Sequence, residues 1–336
     1  MTAPTPYNIN GVSGKRWTCK TNQEWREERA HSIGASAVGT IMGVNPYSTP
    51  LAKAITMREE LNGIFDYTQN TAMRKGHYFE GGVADWFSDE TGHEIIKSSA
   101  AEYLMRRDDI PFMHASPDRT YWIDKNGIKK GKNSEGNKGI VECKTVFSRK
   151  IDPDNLPLMW IFQLQVQMGI CGYRQGFLAW NVMSQREGFG FQYFDFDEDL
   201  FGNLVEICRD FWERCIIRGE DPEPLNASDI LALYPKSTAG KSVTVGNDAK
   251  QLIASLGDMK AAEKELKAEI DTISDQVKVL FTDAEQLVDI DGNVLATYKS
   301  TAGRSSVDTA KLKEQYPEVY EACLKQSAGS RMLKIK

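Results

Sequence analysis

One short segment constrains this chain more than any other: the apolar run Gly139-Ile140-Val141-Glu142-Cys143-Lys144-Thr145-Val146, into which two opposite charges are set. An extended chain alternates its side chains between two faces. A strand here therefore projects Glu142 and Lys144 to one side and Val141, Cys143 and Thr145 to the other. An E-x-K on its own is most often a surface ion pair. The reading changes with Ser116-Pro117-Asp118, which stands upstream of Glu142 across 23 residues. Asp118 and Glu142 brought together make a hard, all-oxygen site suited to Mg²⁺ or Mn²⁺. An ammonium at Lys144 can orient or help deprotonate an attacking water and offset charge on a pentavalent phosphate. This combination suits hydrolysis of a phosphodiester and needs no histidine or cysteine nucleophile. It matches a chain whose 4 histidines show no zinc-like spacing.

Composition narrows the setting. The chain has 336 residues, enough for two domains at ~150 residues each. It is 41% hydrophobic and 26% charged, which reads as a globular protein. No apolar run approaches the ~18 to 20 residues that span a bilayer, and the start, MTAPTPYNIN, has neither the basic nor the apolar region of an export signal. The 6 cysteines are scattered with no C-x-x-C, so the expected setting is a reducing cytoplasm without a disulfide framework or metal cluster. A net charge of -6 argues against coating nucleic acid by bulk attraction, while leaving room for a local basic groove.

Along the chain, residues 1–20 read as a flexible arm. Residues 21–235 read as one α+β domain, mainly helical at first and then a sheet beginning near Glu94. Apolar positions at helical spacing mark helices over Leu51 to Leu61, Asn70 to Thr91, Leu158 to Cys171 and Glu198 to Arg218. Residues 236–247 read as a linker. In residues 248–336, Leu252, Leu256, Met259, Leu266, Ile270, Ile273, Val277 and Leu280 form a heptad seam interrupted at Glu263. Asp291-Gly292-Asn293 then marks a β-hairpin turn. The seam needs a partner surface, either a neighbouring chain or that hairpin.

Ser116-Pro117-Asp118 with Glu142-x-Lys144 resembles the signature of the PD-(D/E)XK nucleases. The surrounding blocks resemble the YqaJ and lambda exonuclease branch of viral recombination exonucleases. They are Trp25-x-x-x-Arg29, Ser32-Ile33-Gly34-Ala35-Ser36, Gly76-His77-Tyr78-Phe79-Glu80 and Gln163-Leu164-Gln165-x-x-Met168, in the family's order over about residues 24 to 220. The resemblance implies a restriction-endonuclease-like core, a mixed central sheet flanked by helices, with residues 248–336 as an appendage. It implies Asp118 and Glu142 as metal ligands, the main-chain carbonyl of Cys143 as a further ligand, Lys144 as the catalytic lysine, and Glu80 beside the metal, binding through water or orienting the nucleophile. It implies a pocket for a 5'-phosphate formed by Arg29, Ser36, Ser116 and Gln163, the last interchangeable with Gln165 at this level of reading. Trp25 is expected to pack, and His77 is left outside the ligand set.

The implied activity is Mg²⁺-dependent exonuclease digestion of the 5'-ended strand of linear double-stranded DNA, with Mn²⁺ substituting. It leaves 3' overhangs for a single-strand annealing protein of phage type. The same resemblance implies a ring-shaped homotrimer, and the lack of a long apolar run sets the expectation of no membrane partner. An endonuclease or relaxed-polarity DNA nuclease on the same site, or a noncatalytic DNA-end-binding adaptor for an annealing protein, are the competing readings. The polar insert Asp124 to Lys138, with Lys125, Lys129, Lys130, Lys132 and Lys138, can touch DNA or stand free as a solvated tip. Arg304, Asp308, Arg331, Lys334 and Lys336 read as the charged exterior of the appendage.

Overall fold

The computed structural model describes residues 3–66, 71–96, 103–124, 137–147, 151–186, 188–325 and 331–335. The chain divides into two compact units, Met1–Ala232 and Leu233–Lys336. Lys125, Lys129, Lys130 and Lys132 of the insert, and Lys336, lie outside the described residues.

The first unit opens with a hairpin where a flexible arm was expected. Strand β1 (Thr5–Ile9) pairs antiparallel with β2 (Val12–Thr18). The two residues between them, Asn10 and Gly11, take φ of 50° and 85°, the left-handed conformations that an Asn-Gly hairpin turn uses. The Tyr7 hydroxyl donates to the Ile170 carbonyl at 2.6 Å and ties the hairpin to the body. The Pro, Asn, Gly and Thr content of residues 1–20 reads as a loose arm, but the adjacent Asn10-Gly11 is the specific hairpin signal.

Helix α1 (Asn22–Ala30) is capped by Thr21, whose side chain accepts the Glu24 N–H at 3.1 Å. After β3 (Ile33–Gly34), a short turn Ala35–Ala37 and α2 (Val38–Ile41), α3 (Pro50–Leu61) starts at the Thr49 cap with proline in its first turn. Helix α4 (Thr71–Thr91) is followed by β4 (Ile95–Ile96), β5 (Tyr103–Arg107), β6 (Met113–His114), β7 (Arg119–Trp122) and β8 (Lys138–Val146). Helix α5 (Leu158–Cys171) leads to β9 (Gln175–Val182) and β10 (Phe189–Asp195), then α6 (Glu198–Phe211) and α7 (Ala227–Leu233). Strands β1, β2 and β5 make a small sheet, and β3 pairs in parallel with β6.

The central sheet runs β10-β9-β8-β7-β4. Only β8 and β9 within it are parallel, and α5 is the crossover that parallel pairing requires. Two cores follow from the alternation along β8. Val141 and Cys143 pack with Phe177 and Ala179 against Val83, Ala84 and Phe87 of α4. Ile140 joins Leu178, Trp180 and the α5 residues Leu164 and Met168 on the other face. Glu142 and Lys144 share the face of Ile140, so both charges point toward α5.

Gly169 of α5 faces α6 closely: a Cβ there would collide with the ring of Phe201, itself 6% exposed. Gly169→Ala is expected to lower the melting temperature, because overpacking at about 1–3 kcal/mol outweighs the ~1 kcal/mol that alanine gains in helix propensity. Thermal melts monitored by circular dichroism measure this, and an unchanged or raised midpoint would show that α6 moves aside freely.

In the second unit, α8 (Asn247–Phe281) is a single helix of 35 residues. Most of its seam is open, with Leu252 at 73%, Leu266 at 58% and Ile273 at 59% exposure. The hairpin β11 (Gln286–Val288) and β12 (Val294–Thr297) forms around the expected turn, where the Asp289 carboxylate accepts the N–H groups of Asp291 and Asn293. The hairpin reaches only the end of the helix, through Phe281 and Tyr298, whose rings lie 5.6 Å apart. Helices α9 (Thr309–Gln315) and α10 (Pro317–Ala322) follow, the first capped by Asp308.

Candidate active site

Asp118 ends the turn that leads into β7. Its Oδ2 accepts the Cys143 N–H at 2.9 Å, which fastens it to the middle of β8. Glu142 is only 2% exposed, and both its oxygens are engaged. Oε1 accepts from Lys144 Nζ at 2.7 Å and from the Gln163 amide at 2.5 Å, and Oε2 accepts from the Gln167 amide at 2.8 Å. The Gln163 carbonyl in turn accepts from Lys144 Nζ at 2.9 Å, closing a triangle of carboxylate, ammonium and amide.

Helix α5 builds this shell because positions 163 and 167 are one turn apart on the face toward β8. Gln165 turns away: its amide donates to the Asp195 carbonyl and its oxygen accepts the Asp197 N–H, both at 2.9 Å. The structure thus separates two glutamines that the sequence left interchangeable. Gln167 was missed, although it lies four residues beyond Gln163 and its burial to 1% exposure demands a partner.

The electrostatics follow from crowding. Burial, then the Glu142 and Glu80 carboxylates, push Asp118 well above the usual aspartate range. Burial works against the charge on Lys144, but Glu142 and Asp118 outweigh it and raise its pKa. Lys144 is therefore an ammonium, a donor of charge and hydrogen bonds with no capacity as a base at neutral pH. Glu80, on α4, is paired with Arg119, whose Nη1 donates to Glu80 Oε1 and to the Asp118 carbonyl, each at 2.6 Å. Arg119 also escaped the sequence reading, though it directly follows Asp118. The apolar neighbourhood expected around Glu80 is one-sided, since Val83 is buried at 1% and Phe79 is 39% exposed.

Asp118, Glu142, Glu80 and the Cys143 carbonyl supply hard oxygen donors, and the raised Asp118, set by burial first and by the Glu142 and Glu80 charges next, is a condition that a divalent cation would relieve. Among the described residues no three acidic, His or Cys side chains converge closely enough to grip an ion as they stand. Lys144, Gln163, Gln167 and Arg119 hold the carboxylates instead.

A cavity of about 670 Å³ joins this cluster to α1: Arg29, Gly34, Lys53, Glu80, His114 and Asp118 all line it. Trp25 and Arg29 share one face of α1, and the guanidinium lies 4.1 Å from the indole centroid, so Trp25 positions Arg29. His77, outside the expected ligand set, also lines the cavity. Ser116 is half-buried, and its Oγ has no hydrogen-bond partner among the described residues. Ser36 is exposed on the turn after β3. Gln163 belongs, in this arrangement, to the Glu142 and Lys144 triangle.

A mixed sheet flanked by helices, with Asp118 just before β7 and Glu142-x-Lys144 on the central strand β8, is the arrangement that the resemblance to the PD-(D/E)XK nucleases implies. Residues 24–174 match the family model of the YqaJ-like viral recombinase domain. The uncharacterized protein YqaJ of Bacillus subtilis (strain 168) is 26% identical over 319 residues, covering 91% of this chain and 92% of that protein. Two solved structures are also similar. An alkaline exonuclease from Laribacter hongkongensis has 17% identity and a TM-score of 0.44, covering 59% of this chain and 94% of its own. A phage-related exonuclease from Haemophilus somnus 129PT has 12% identity and a TM-score of 0.40, with coverages of 56% and 96%. No helix among the described residues is long and apolar enough to cross a membrane.

Proposed function

We propose that the protein is a divalent-metal-dependent exonuclease that digests the 5'-ended strand of linear double-stranded DNA and leaves 3' single strands for an annealing protein. The observation that carries this reading is that one cavity is lined by both Arg29 and Asp118. A strand end whose terminal phosphate is held at Arg29 places one of its own phosphodiesters near the acids, which is the geometry of cutting from an end. The family adds viral recombination as the setting, in which such overhangs are the substrate of strand annealing.

Asp118, Glu142 and the Cys143 carbonyl would hold Mg²⁺ or Mn²⁺, with Glu80 contributing directly or through water. When bound, such an ion polarises the scissile phosphoryl oxygen and stabilises the departing 3' oxygen. Lys144, oriented by Gln163 and kept charged by Glu142, offsets negative charge on the attacked phosphate and orients the water. Arg29 holds the end, with Ser116 supplying a hydroxyl that has no hydrogen-bond partner among the described residues. A ring-shaped homotrimer would make digestion processive, and a cytoplasmic setting follows from the role.

The test is digestion of a linear duplex bearing a 5'-phosphate on one strand only, each strand labelled differently, with and without Mg²⁺. Stepwise loss of the phosphorylated strand, in Mg²⁺ alone, is the expected result. Internal cuts in circular DNA would instead make the protein an endonuclease, and tight end binding without any cleavage would make it an adaptor.

A further inference from the structure

A phosphate is gripped best by cations fixed before it arrives. Gly34 of β3 pairs with His114 of β6, and a Cβ at position 34 would stand 2.9 Å from His114 Nε2 and 3.3 Å from Arg29 Nη2. Glycine thus leaves a bare backbone where ring and guanidinium converge, although its φ of -73° is open to any residue. His114 and Ser32 are each 2% exposed, and His114 Nδ1 shares a 2.8 Å hydrogen bond with Ser32 Oγ. Nε2 has no hydrogen-bond partner among the described residues. Burial, with Arg29, Arg106 and Lys53 adding to it, holds the imidazole well below its usual pKa, so a neutral ring backs the guanidinium without repelling it. Lys53, on α3, lines the same cavity from another direction. Its ammonium is held below the ordinary lysine range by burial, with Glu60 opposing and Arg29 reinforcing.

We propose that Lys53 is a second cation contacting the terminal phosphate in this cavity, and that the buried His114–Ser32 pair is the strut that aims Arg29 at the same group. The inference rests on the reading of the cavity as the phosphate pocket of a strand end. It goes further by naming the side chains that would make the pocket favour a phosphate end. A terminal phosphomonoester carries up to two charges and three free oxygens, whereas an internal diester carries one charge and two free oxygens. Two cations from different helices match the first and are in excess for the second. Lys53 is a binding residue; His114 acts only through Arg29.

The experiment measures binding of matched duplexes ending in 5'-phosphate or 5'-hydroxyl to the full chain without divalent metal, by fluorescence anisotropy. The wild type is expected to favour the phosphate end. Lys53→Met should cut that preference by about tenfold or more, the worth of one hydrogen bond to a charged group, while leaving the hydroxyl-end affinity within about twofold. His114→Ala should also reduce the preference, and His114→Gln, which keeps a polar group near Nε2, should restore part of it. If His114→Ala does not fold, Gly34→Ala tests the same strut by placing a methyl between ring and guanidinium with every charge retained. A wild-type ratio in Lys53→Met overturns the role of Lys53, and a wild-type ratio in Gly34→Ala, and in His114→Ala where that variant folds, overturns the strut. Equal binding of the two ends by the wild type overturns the whole inference together with the pocket, whereas cleavage of labelled duplex in Mg²⁺ reports on the nuclease reading independently.

Discussion

Asp118→Asn is expected to abolish cleavage and, without divalent metal, to make the protein more stable. The loss of activity follows from removing a metal-binding oxygen: several kcal/mol of transition-state stabilisation, at ~1.36 kcal/mol per tenfold, is about a 10³-fold fall or more. The gain in stability follows from the crowding of Asp118 by burial, Glu142 and Glu80. Asparagine keeps the shape, and its oxygen still accepts the Cys143 N–H. Because the folded state raises the pKa of Asp118, the folded protein prefers the protonated carboxyl. The stability tied to that proton is complete below the ordinary aspartate value of ~4 and is lost as pH rises through the raised one. The metal-free wild type should therefore lose melting temperature across this window, the asparagine variant should lose less, and Mg²⁺ should restore the wild type alone. Calorimetric scans at several pH values, with and without Mg²⁺, decide it. Parallel pH profiles for the two proteins would show that Asp118 is not crowded in the way the structure describes.

That stability cost explains what was legible in the sequence. A buried Glu and Lys two apart on an apolar strand violate the pattern of that strand, and such violations concentrate where function overrides stability. Alternation along β8 gave their common face correctly, and the heptad spacing gave a long helix at α8. The sequence could not show what stands opposite that face. Gln163 and Gln165 are both amides on an apolar helix, and only the placement of α5 against β8 decides that 163 and 167 meet Glu142 while 165 bonds the chain between β10 and α6. Lys53 and His114 were likewise illegible, since they reach the Arg29 cavity from α3 and β6 through pairings distant in the chain. Arg119 and the β1–β2 turn were legible and passed over: the first adjoins Asp118, and Asn10-Gly11 is a hairpin signal hidden by a proline-rich context.

Lys144→Met should also abolish cleavage, but with the opposite effect on stability. The ammonium is one of three donors to a carboxylate that is 2% exposed, and the other two come from neutral amides. Removing it leaves a buried negative charge without its cation and leaves the Gln163 carbonyl without its donor. Breaking a buried pair from one side costs about 3–5 kcal/mol, so the melting temperature of the metal-free variant should fall by several degrees. Loss of charge stabilisation on the attacked phosphate lowers the rate by about 10² to 10³-fold. The double variant Lys144→Met with Glu142→Gln removes both charges and should recover much of the lost stability with none of the activity. Recovery is the discriminating result. If the double variant melts no higher than Lys144→Met, the stabilising part of Lys144 lies in its methylene packing and not in its pairing with Glu142. Taken with the Asp118 result, the two substitutions separate the carboxylate whose charge the fold accommodates only once a cation binds from the one that the fold itself has paired with an ammonium.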